Sequence, residues 1–402
     1  MEQVVRRSVA KANNIDTSTK HYHLLVDGNS VLKSSLVAKN YINNKGEEYG
    51  AILTFLRRIG NLLMKRDFDR CIVCWDGYNS GVLRYNLYKD YKANRDKNYE
   101  AAAEVSNPKT EYDAYIENYT RRILAYSKQK NKEQKKKESE DENFQRQRDI
   151  LISILDELFV RQYMYDDVEG DDLISYVCNH KGDNDYIVIV SEDRDISQLI
   201  NDKICLYLPS KKIFVTPKNA EEHIGTIPEN VVLKKMICGD TSDNIKGIKG
   251  MGETTLLKYC PQIKSEKTSL EAFLDVCKTI LEERKANKKK PLLCLENALN
   301  KVTDGCQGKD IYEVNRKIID LAEPLLTEEA KEELDEIHRA PIDPEGRDLK
   351  NVYNIIKENQ MVEILNENAF GNVFGMYERL KKKEVEFFNK NGNYIPVDSR
   401  NK

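Results

Sequence analysis

The chain has 402 residues, of which 33% are charged and 40% hydrophobic, with a net charge of −3. That length accommodates two or three domains and a sizeable core, and no segment is apolar for the length of a membrane span. The absence of a basic excess argues against bulk electrostatic attraction to nucleic acid, so any such contact has to come from local patches offset by acids elsewhere. Nine cysteines, an odd number, are scattered without a disulfide framework. Cys71 and Cys74 have CxxC spacing but lie on an expected strand, where they point to opposite faces, so the cysteines read as reduced thiols in a cytoplasmic protein. The N-terminus carries no signal-peptide pattern.

Residues 1–20 are polar and aperiodic, a tail. The first strand, His23–Asp27, ends in an aspartate. Apolar residues at Ile52, Phe55, Leu56, Ile59, Leu62 and Leu63 have helical spacing, and the next strand, Cys71–Trp75, again releases an aspartate, Asp76. Gly81–Arg95 mixes cations with aromatics; if helical, Lys92 and Arg95 share a face, with Tyr88 and Tyr91 beside them. Phosphates attract such charges and unpaired bases stack on such rings, although a solvated helix with inward tyrosines fits equally well. Ser127–Arg148 holds eight Lys/Arg and five Asp/Glu around a single apolar residue, Phe144, and reads as a charged helix or disordered insertion.

Asp149–Leu158 is the next expected helix and Gln162–Tyr165 a short strand. Glu169, Asp171 and Asp172 then precede an apolar helical run, Leu173–Cys178. Ile187–Val190 is β-branched and uncharged, a strand buried on both faces, and Asp193 and Asp195 follow it at once. Strands alternating with helices predict an α/β fold with a mainly parallel central sheet flanked by helices. Ligands of such sheets bind at the carboxyl ends of the strands, where Asp27, Asp76 and Asp193 converge. Single acids at element ends are ordinary helix caps. Several converging on one rim repel each other unless a cation lies between them, and oxygen ligands suit Mg²⁺. Further on, Asp240 and Asp243 precede a Gly-rich turn, Gly247–Ile–Lys–Gly250–Met–Gly252, and a helix opened by Thr254 and Thr255; glycine lets a backbone approach a phosphate, and helix amides face it. From residue 262 the chain is helical and charged, with runs at Leu270–Lys290, Ile311–Leu326 and Val362–Phe388 and a basic triplet, Lys288–Lys290.

These motifs, Val26–Asn29, Trp75–Asp76, Leu87–Arg95, Glu169–Asp172, Ser191–Leu199 and Gly239–Asn244 with the turn after it, resemble the 5′-nuclease superfamily: flap endonucleases, phage 5′–3′ exonucleases and the nuclease domain of bacterial DNA polymerase I. They occur in that family's order over roughly residues 22–260. Within it, Asn79–Gly81 and the helical C-terminal third are similar to the T-even phage ribonuclease H group.

The resemblance implies a PIN-like nuclease core at 21–235 with an arch or insertion at about 84–148, a helix–hairpin–helix DNA-binding region at 236–310 and a helical C-terminal region at 311–402. It implies that Asp27, Asp76, Glu169 and Asp171 hold one metal ion, that Asp172 lies between the sites, and that Asp193, Asp195, Asp240 and Asp243 form the second cluster. It implies that Lys92 and Arg95 hold the scissile phosphate, and that Arg84, Tyr91, Lys246, Gly247, Lys249, Gly250, Gly252, Thr254 and Thr255 join them as DNA contacts. Two Mg²⁺ ions about 4 Å apart, with Mn²⁺ as a substitute, would flank one phosphodiester, and K⁺ would accompany the hairpin. The expected partners are branched or nicked duplex DNA and RNA–DNA hybrid, with a single-stranded-DNA-binding protein or sliding clamp beside them; the chain would work as a monomer, in the host cytoplasm if phage-encoded. The expected activity is 5′–3′ exonuclease, flap endonuclease and ribonuclease H, in primer removal. A PIN-like ribonuclease and a binding module without catalysis are the rival readings.

Overall fold

The computed structural model describes residues 20–38, 41–93, 132–304, 310–338, 340 and 342–390; the tail through residue 19, and residues 94–131 with Arg95, lie outside the described residues. The chain builds β1 (His21–Asp27), α1 (Gly28–Ser35), α2 (Gly50–Lys65), β2 (Arg70–Cys74), α3 (Val82–Leu87), α4 (Lys132–Glu157), β3 (Arg161–Tyr163), α5 (Gly170–Asn179), β4 (Asp185–Val190), β5 (Ile204–Leu208) and β6 (Ile213–Val215). These six strands form one sheet in the order β3-β2-β1-β4-β5-β6. All pairs are parallel except β5 with β6. In the centre, Leu24, Leu25 and Val26 lie opposite Val188, Ile189 and Val190.

Period-two alternation divides these strands between two cores. Leu24, Val26, Cys71, Val73, Val188 and Val190 face one side, where α2 and α4 cover them. Leu25, Ile72, Cys74, Ile187 and Ile189 face the other, under α5. Cys71 and Cys74 are thus on opposite faces, and all eight described cysteines are free. Phe144, the lone apolar residue of the charged stretch, is buried in the first core.

Beyond the sheet come α6 (Ala220–Ile224), α7 (Val231–Cys238), the two-stranded β7 (Gly239–Asp240) and β8 (Ile245–Lys246), α8 (Glu253–Tyr259), α9 (Leu270–Ala286) and α10 (Leu293–Leu299). Ala220 and Ile224 of α6 join the second core, while the later helices pack a third core on Ile248, Met251, Leu256, Phe273 and Leu295. The rest is α11 (Ile311–Ile319), α12 (Glu328–Ile337), α13 (Leu349–Glu358) and α14 (Glu367–Lys390). The C-terminal helices close the sheet: Val352, Ile356, Val373, Met376 and Leu380 belong to the same core as Leu24 and Val26. No helix among the described residues is long and apolar enough to cross a membrane.

Four expected elements end early or are broken within their runs; one, Leu270–Lys290, ends its helix at Ala286. β3 stops at Tyr163. The run to Leu326 ends its helix at Ile319, ahead of Pro324, which has no amide to donate and disfavours helical backbone at the residue before it. The run to Phe388 is interrupted at Asn366, whose extended backbone separates a single 3₁₀ turn from α14.

Candidate metal centre and nucleic-acid surface

β1 and β4 are neighbours whose connections lead to opposite sides of the sheet, so a crevice opens at their carboxyl ends. Asp27 ends β1 there and caps α1: the Ser30 amide donates to its Oδ1 at 2.9 Å and the Ser191 hydroxyl to its Oδ2 at 2.6 Å. Asp76 follows β2 and accepts from the Asn29 side-chain amide (2.6 Å) and the Gly170 amide (2.8 Å). Asp193 follows β4 and accepts from the Asp195 amide at 2.8 Å. Asp171, in the first turn of α5, has no hydrogen-bond or ion-pair partner among the described residues. Burial, then repulsion from Asp193, Asp27, Glu169 and Asp76, pushes its carboxyl well above the ordinary range. Burial likewise raises Asp27 to about 7, with Asp76 and Asp193 adding to the rise against its hydrogen bonds. Asp27, Asp76 and Asp193 thus all repel the Asp171 carboxylate, and among the described residues only neutral donors bond to them, an arrangement a divalent cation relieves.

The second cluster has a different make-up. Asp195, Asp240 and Asp243 bring ligand oxygens within 4.8 Å of one another. The Lys235 ammonium, from α7, pairs with both Asp195 and Asp240. Asp240 also accepts from the Ser242 amide (2.8 Å) and hydroxyl (2.6 Å); burial works against it, but Lys235 and Ser242 hold it below the usual carboxylate range. Asp195 is pushed up to about 6 by burial and by Asp193. Sequence reasoning missed Lys235. Its signal was a lysine pair inside an otherwise apolar octapeptide, Val231–Cys238, just before Asp240.

Glu169 and Asp172 belong to a third arrangement, one of acids already paired with cations. The Arg84 guanidinium is buried, bonding Glu169 (2.6 Å), Asp172 (3.0 Å through its second nitrogen) and the Ile318 carbonyl (2.9 Å). Asp172 accepts the Leu325 amide as well, at 2.9 Å. It is a buried counter-charge to Arg84 rather than an acid lying between two metal sites. Glu169 also accepts from Tyr91 and Lys92, and although burial opposes it, Arg84 and Lys92 hold its carboxyl below the usual range.

The expected contact surface needs corresponding corrections. Arg84 is a strut joining α3 to α5 and α11, with no side chain left for a phosphate. Tyr88 and Tyr91 are buried with Ile245, Ile318 and Ile319 and offer no face for a base. The helix that Gly81–Arg95 could form ends at Leu87, where Tyr88 turns to extended backbone, and Lys92, further on, has φ 55°. Its amide donates to the Asp243 carbonyl at 2.8 Å while its ammonium pairs with Glu169, so Lys92 ties the two acid groups together. In the hairpin, Lys246, Lys249, Gly250, Gly252 and Thr254 are exposed and Thr255 half-buried, with Lys249 paired to Asp304 at 2.8 Å. Gly250 has φ 81°, where a side chain is disfavoured. Gly247 is required for a different reason: a Cβ there would lie 2.2 Å from the Cys238 carbonyl carbon, so it serves the β7–β8 contact.

A family model described as "5′-3′ exonuclease, N-terminal resolvase-like domain" matches residues 22–225. The chain belongs to the 5′-nuclease superfamily. It is 25% identical over 287 residues to DNA polymerase I of Bacillus subtilis, a match covering 70% of this chain and 28% of the polymerase. It is 27% identical over 255 residues to a 5′-3′ exonuclease of Buchnera aphidicola, covering 62% of this chain and 74% of that one. Among solved structures, the bacteriophage T5 D15 protein crystallised with metal ions aligns with a TM-score of 0.52 at 16% identity, over 86% of this chain and 100% of that one. A D15 flap endonuclease complex with DNA and metal ions aligns at 0.51 and 17%, over 84% and 99%. These likenesses establish the shared fold.

Proposed function

We propose that this chain is a divalent-metal-dependent 5′–3′ exonuclease and flap endonuclease that also cleaves RNA in RNA–DNA hybrids, and that it removes RNA primers and 5′ flaps in DNA replication. The observation that carries the reading is the convergence of Asp27, Asp76, Asp171 and Asp193 at one sheet rim, beside the trio Asp195, Asp240 and Asp243 and ahead of an exposed Gly-rich hairpin. The donor set is all carboxylate oxygen, with no histidine or thiol, which suits Mg²⁺ or Mn²⁺. Asp27, Asp76, Asp171 and Asp193 would hold one ion, with Glu169 beside them, and Asp195, Asp240 and Asp243 a second. Mg²⁺, when bound, supplies Lewis-acid activation of water and of the phosphodiester.

The chain's own residues do the remainder. Ser191, Ser30, Asn29 and the Gly170 amide orient Asp27 and Asp76. Lys92 and Lys235 lie on the acids as counter-ions and become available to a substrate phosphate once the acids have cations of their own. Arg95 would join them. Lys246, Gly250, Gly252, Thr254 and Thr255 would meet the duplex backbone, with K⁺ held by hairpin carbonyls. Branched or nicked duplex DNA and RNA–DNA hybrid are the proposed substrates; a single-stranded-DNA-binding protein or sliding clamp is the proposed partner of a monomeric enzyme.

The test is a 5′-labelled flap duplex, and then an RNA–DNA hybrid, incubated with wild type and Asp193→Asn in Mg²⁺ and in EDTA. Wild type should cut near the junction only with Mg²⁺, and the variant should bind without cutting. Binding without cutting by wild type in every divalent metal would replace the nuclease with a binding module.

A further inference from the structure

The basic triplet Lys288–Lys290 has no part in the chemistry above, yet the fold holds it at a fixed place beside the hairpin. Helix α9 ends at Ala286 with Asn287 as its cap. The Lys288 amide donates to the Lys285 carbonyl (3.0 Å) and the Lys289 amide to the Arg284 carbonyl (2.8 Å). This double bond pattern is the Schellman ending, whose left-handed position is ordinarily glycine. Here Lys288 occupies it with φ 53°. The Arg284 guanidinium fixes the turn from the other side, donating to the Lys290 carbonyl at 2.8 Å. The backbone thus keeps a strained conformation that glycine would relieve, and uses it to present a third consecutive lysine. All three are exposed, and among the described residues their side chains have no carboxylate partner. Lysines at a helix C-terminus do gain from the helix dipole, but one or two suffice for that, and three adjacent like charges repel.

The turn leads directly into α10, which packs against the hairpin. A Cβ on Gly250 would lie 3.4 Å from Cys294 Cβ, and the Asn297 side chain donates to the Lys249 carbonyl at 3.0 Å. The Lys249 amide in turn donates to the Val302 carbonyl at 3.0 Å. Lys290 precedes Cys294 by four residues, so it stands at most about 14 Å from the hairpin contact, roughly four base pairs of duplex.

We propose that Lys288, Lys289 and Lys290 form a second phosphate-binding patch that extends the hairpin's grip along the duplex arm of the substrate. This rests on the 5′-nuclease reading and deepens it: the hairpin sets the position, and the triplet adds sequence-independent, salt-sensitive affinity for the double-stranded arm.

The experiment compares wild type, the triple variant Lys288→Ala, Lys289→Ala, Lys290→Ala and the triple Lys→Arg variant. Fluorescence anisotropy on a labelled flap duplex in EDTA, over a series of salt concentrations, gives the slope of log Kd against log salt. Each lost phosphate contact lowers that slope by about 0.9, so the alanine triple should lose about 2 to 3 and bind roughly tenfold or more weakly at moderate salt. The arginine triple should keep the wild-type slope. Binding of a single-stranded oligonucleotide and kcat at saturating flap should be unchanged. An alanine triple whose slope stays within about half a contact of wild type, while both bind and cut the flap, overturns the patch and leaves the nuclease reading intact. Wild type that does not bind duplex at all overturns both.

Discussion

The two acid clusters of this molecule lie side by side and differ in what balances them. At the sheet rim, among the described residues, Asp27, Asp76 and Asp193 receive only neutral hydrogen-bond donors and Asp171 none, and burial together with mutual repulsion drives Asp171 and Asp27 upward. In the neighbouring trio, Lys235 lies between Asp195 and Asp240 and keeps Asp240 low. Among the described residues, one cluster has no counter-charge of its own, while the other has Lys235. The difference shows that a count of carboxylates does not measure the demand for metal; the burial and the counter-charge around each one do.

The largest effect should come from breaking the uncompensated cluster. Asp171→Asn removes an acid with no other partner among the described residues, and cleavage should fall by about 10³-fold or more, the several kcal/mol expected of a lost metal contact. Asp240→Asn should cost less, because Lys235 and Ser242 continue to order that trio. Equal losses in kcat would erase the distinction between the clusters. Next comes the buried strut. Arg84→Met leaves Asp172 buried without its cation and Glu169 with Lys92 alone, which should cost about 3–5 kcal/mol of stability by urea denaturation. Arg84→Lys should recover only part, since an ammonium cannot bond both acids and the Ile318 carbonyl in the same fork. A loss under about 1 kcal/mol would mean water replaces the strut.

The pH dependence sharpens the comparison without mutation. Asp27 at about 7 and Asp195 at about 6 are raised above the ordinary aspartate value. The folded protein therefore binds more protons than the unfolded chain between roughly pH 4 and 7, and its stability falls as pH rises through that window. EDTA-treated protein should melt at a lower temperature at pH 8 than at pH 5.5, and added Mg²⁺ should raise the melting temperature more at pH 8. An equal Mg²⁺ effect at both values would count against metal relief of these acids. The smallest effect belongs to the compensated cluster. Lys235→Met should cost about 1–2 kcal/mol in the metal-free protein and enlarge the stabilisation by Mg²⁺. A variant more stable than wild type without metal would mean Lys235 does not neutralise the trio.

The architecture and the acids were legible in local patterns of the chain. β-branched runs released aspartates at their carboxyl ends, and alternation with helices made a parallel sheet, so Asp27, Asp76 and Asp193 had to share a rim. These follow from local periodicity, which short windows of sequence contain. The pairing of charges across long separations was not legible there, because it depends on which distant elements pack together. Arg84 and Tyr91 have the residue types of a nucleic-acid surface, but contacts to Glu169, 85 and 78 residues away, turn both inward. Asp172 differs from Asp171 by one position, yet the turn of α5 points one toward Arg84 and the other toward the acid cluster. Lys235, which no motif singled out, meets Asp195 and Asp240 only because the fold brings β7 and the 3₁₀ turn Asp195–Leu199 around it. A carboxylate or a cation reads the same in sequence whether water or a buried partner solvates it; the fold chooses which.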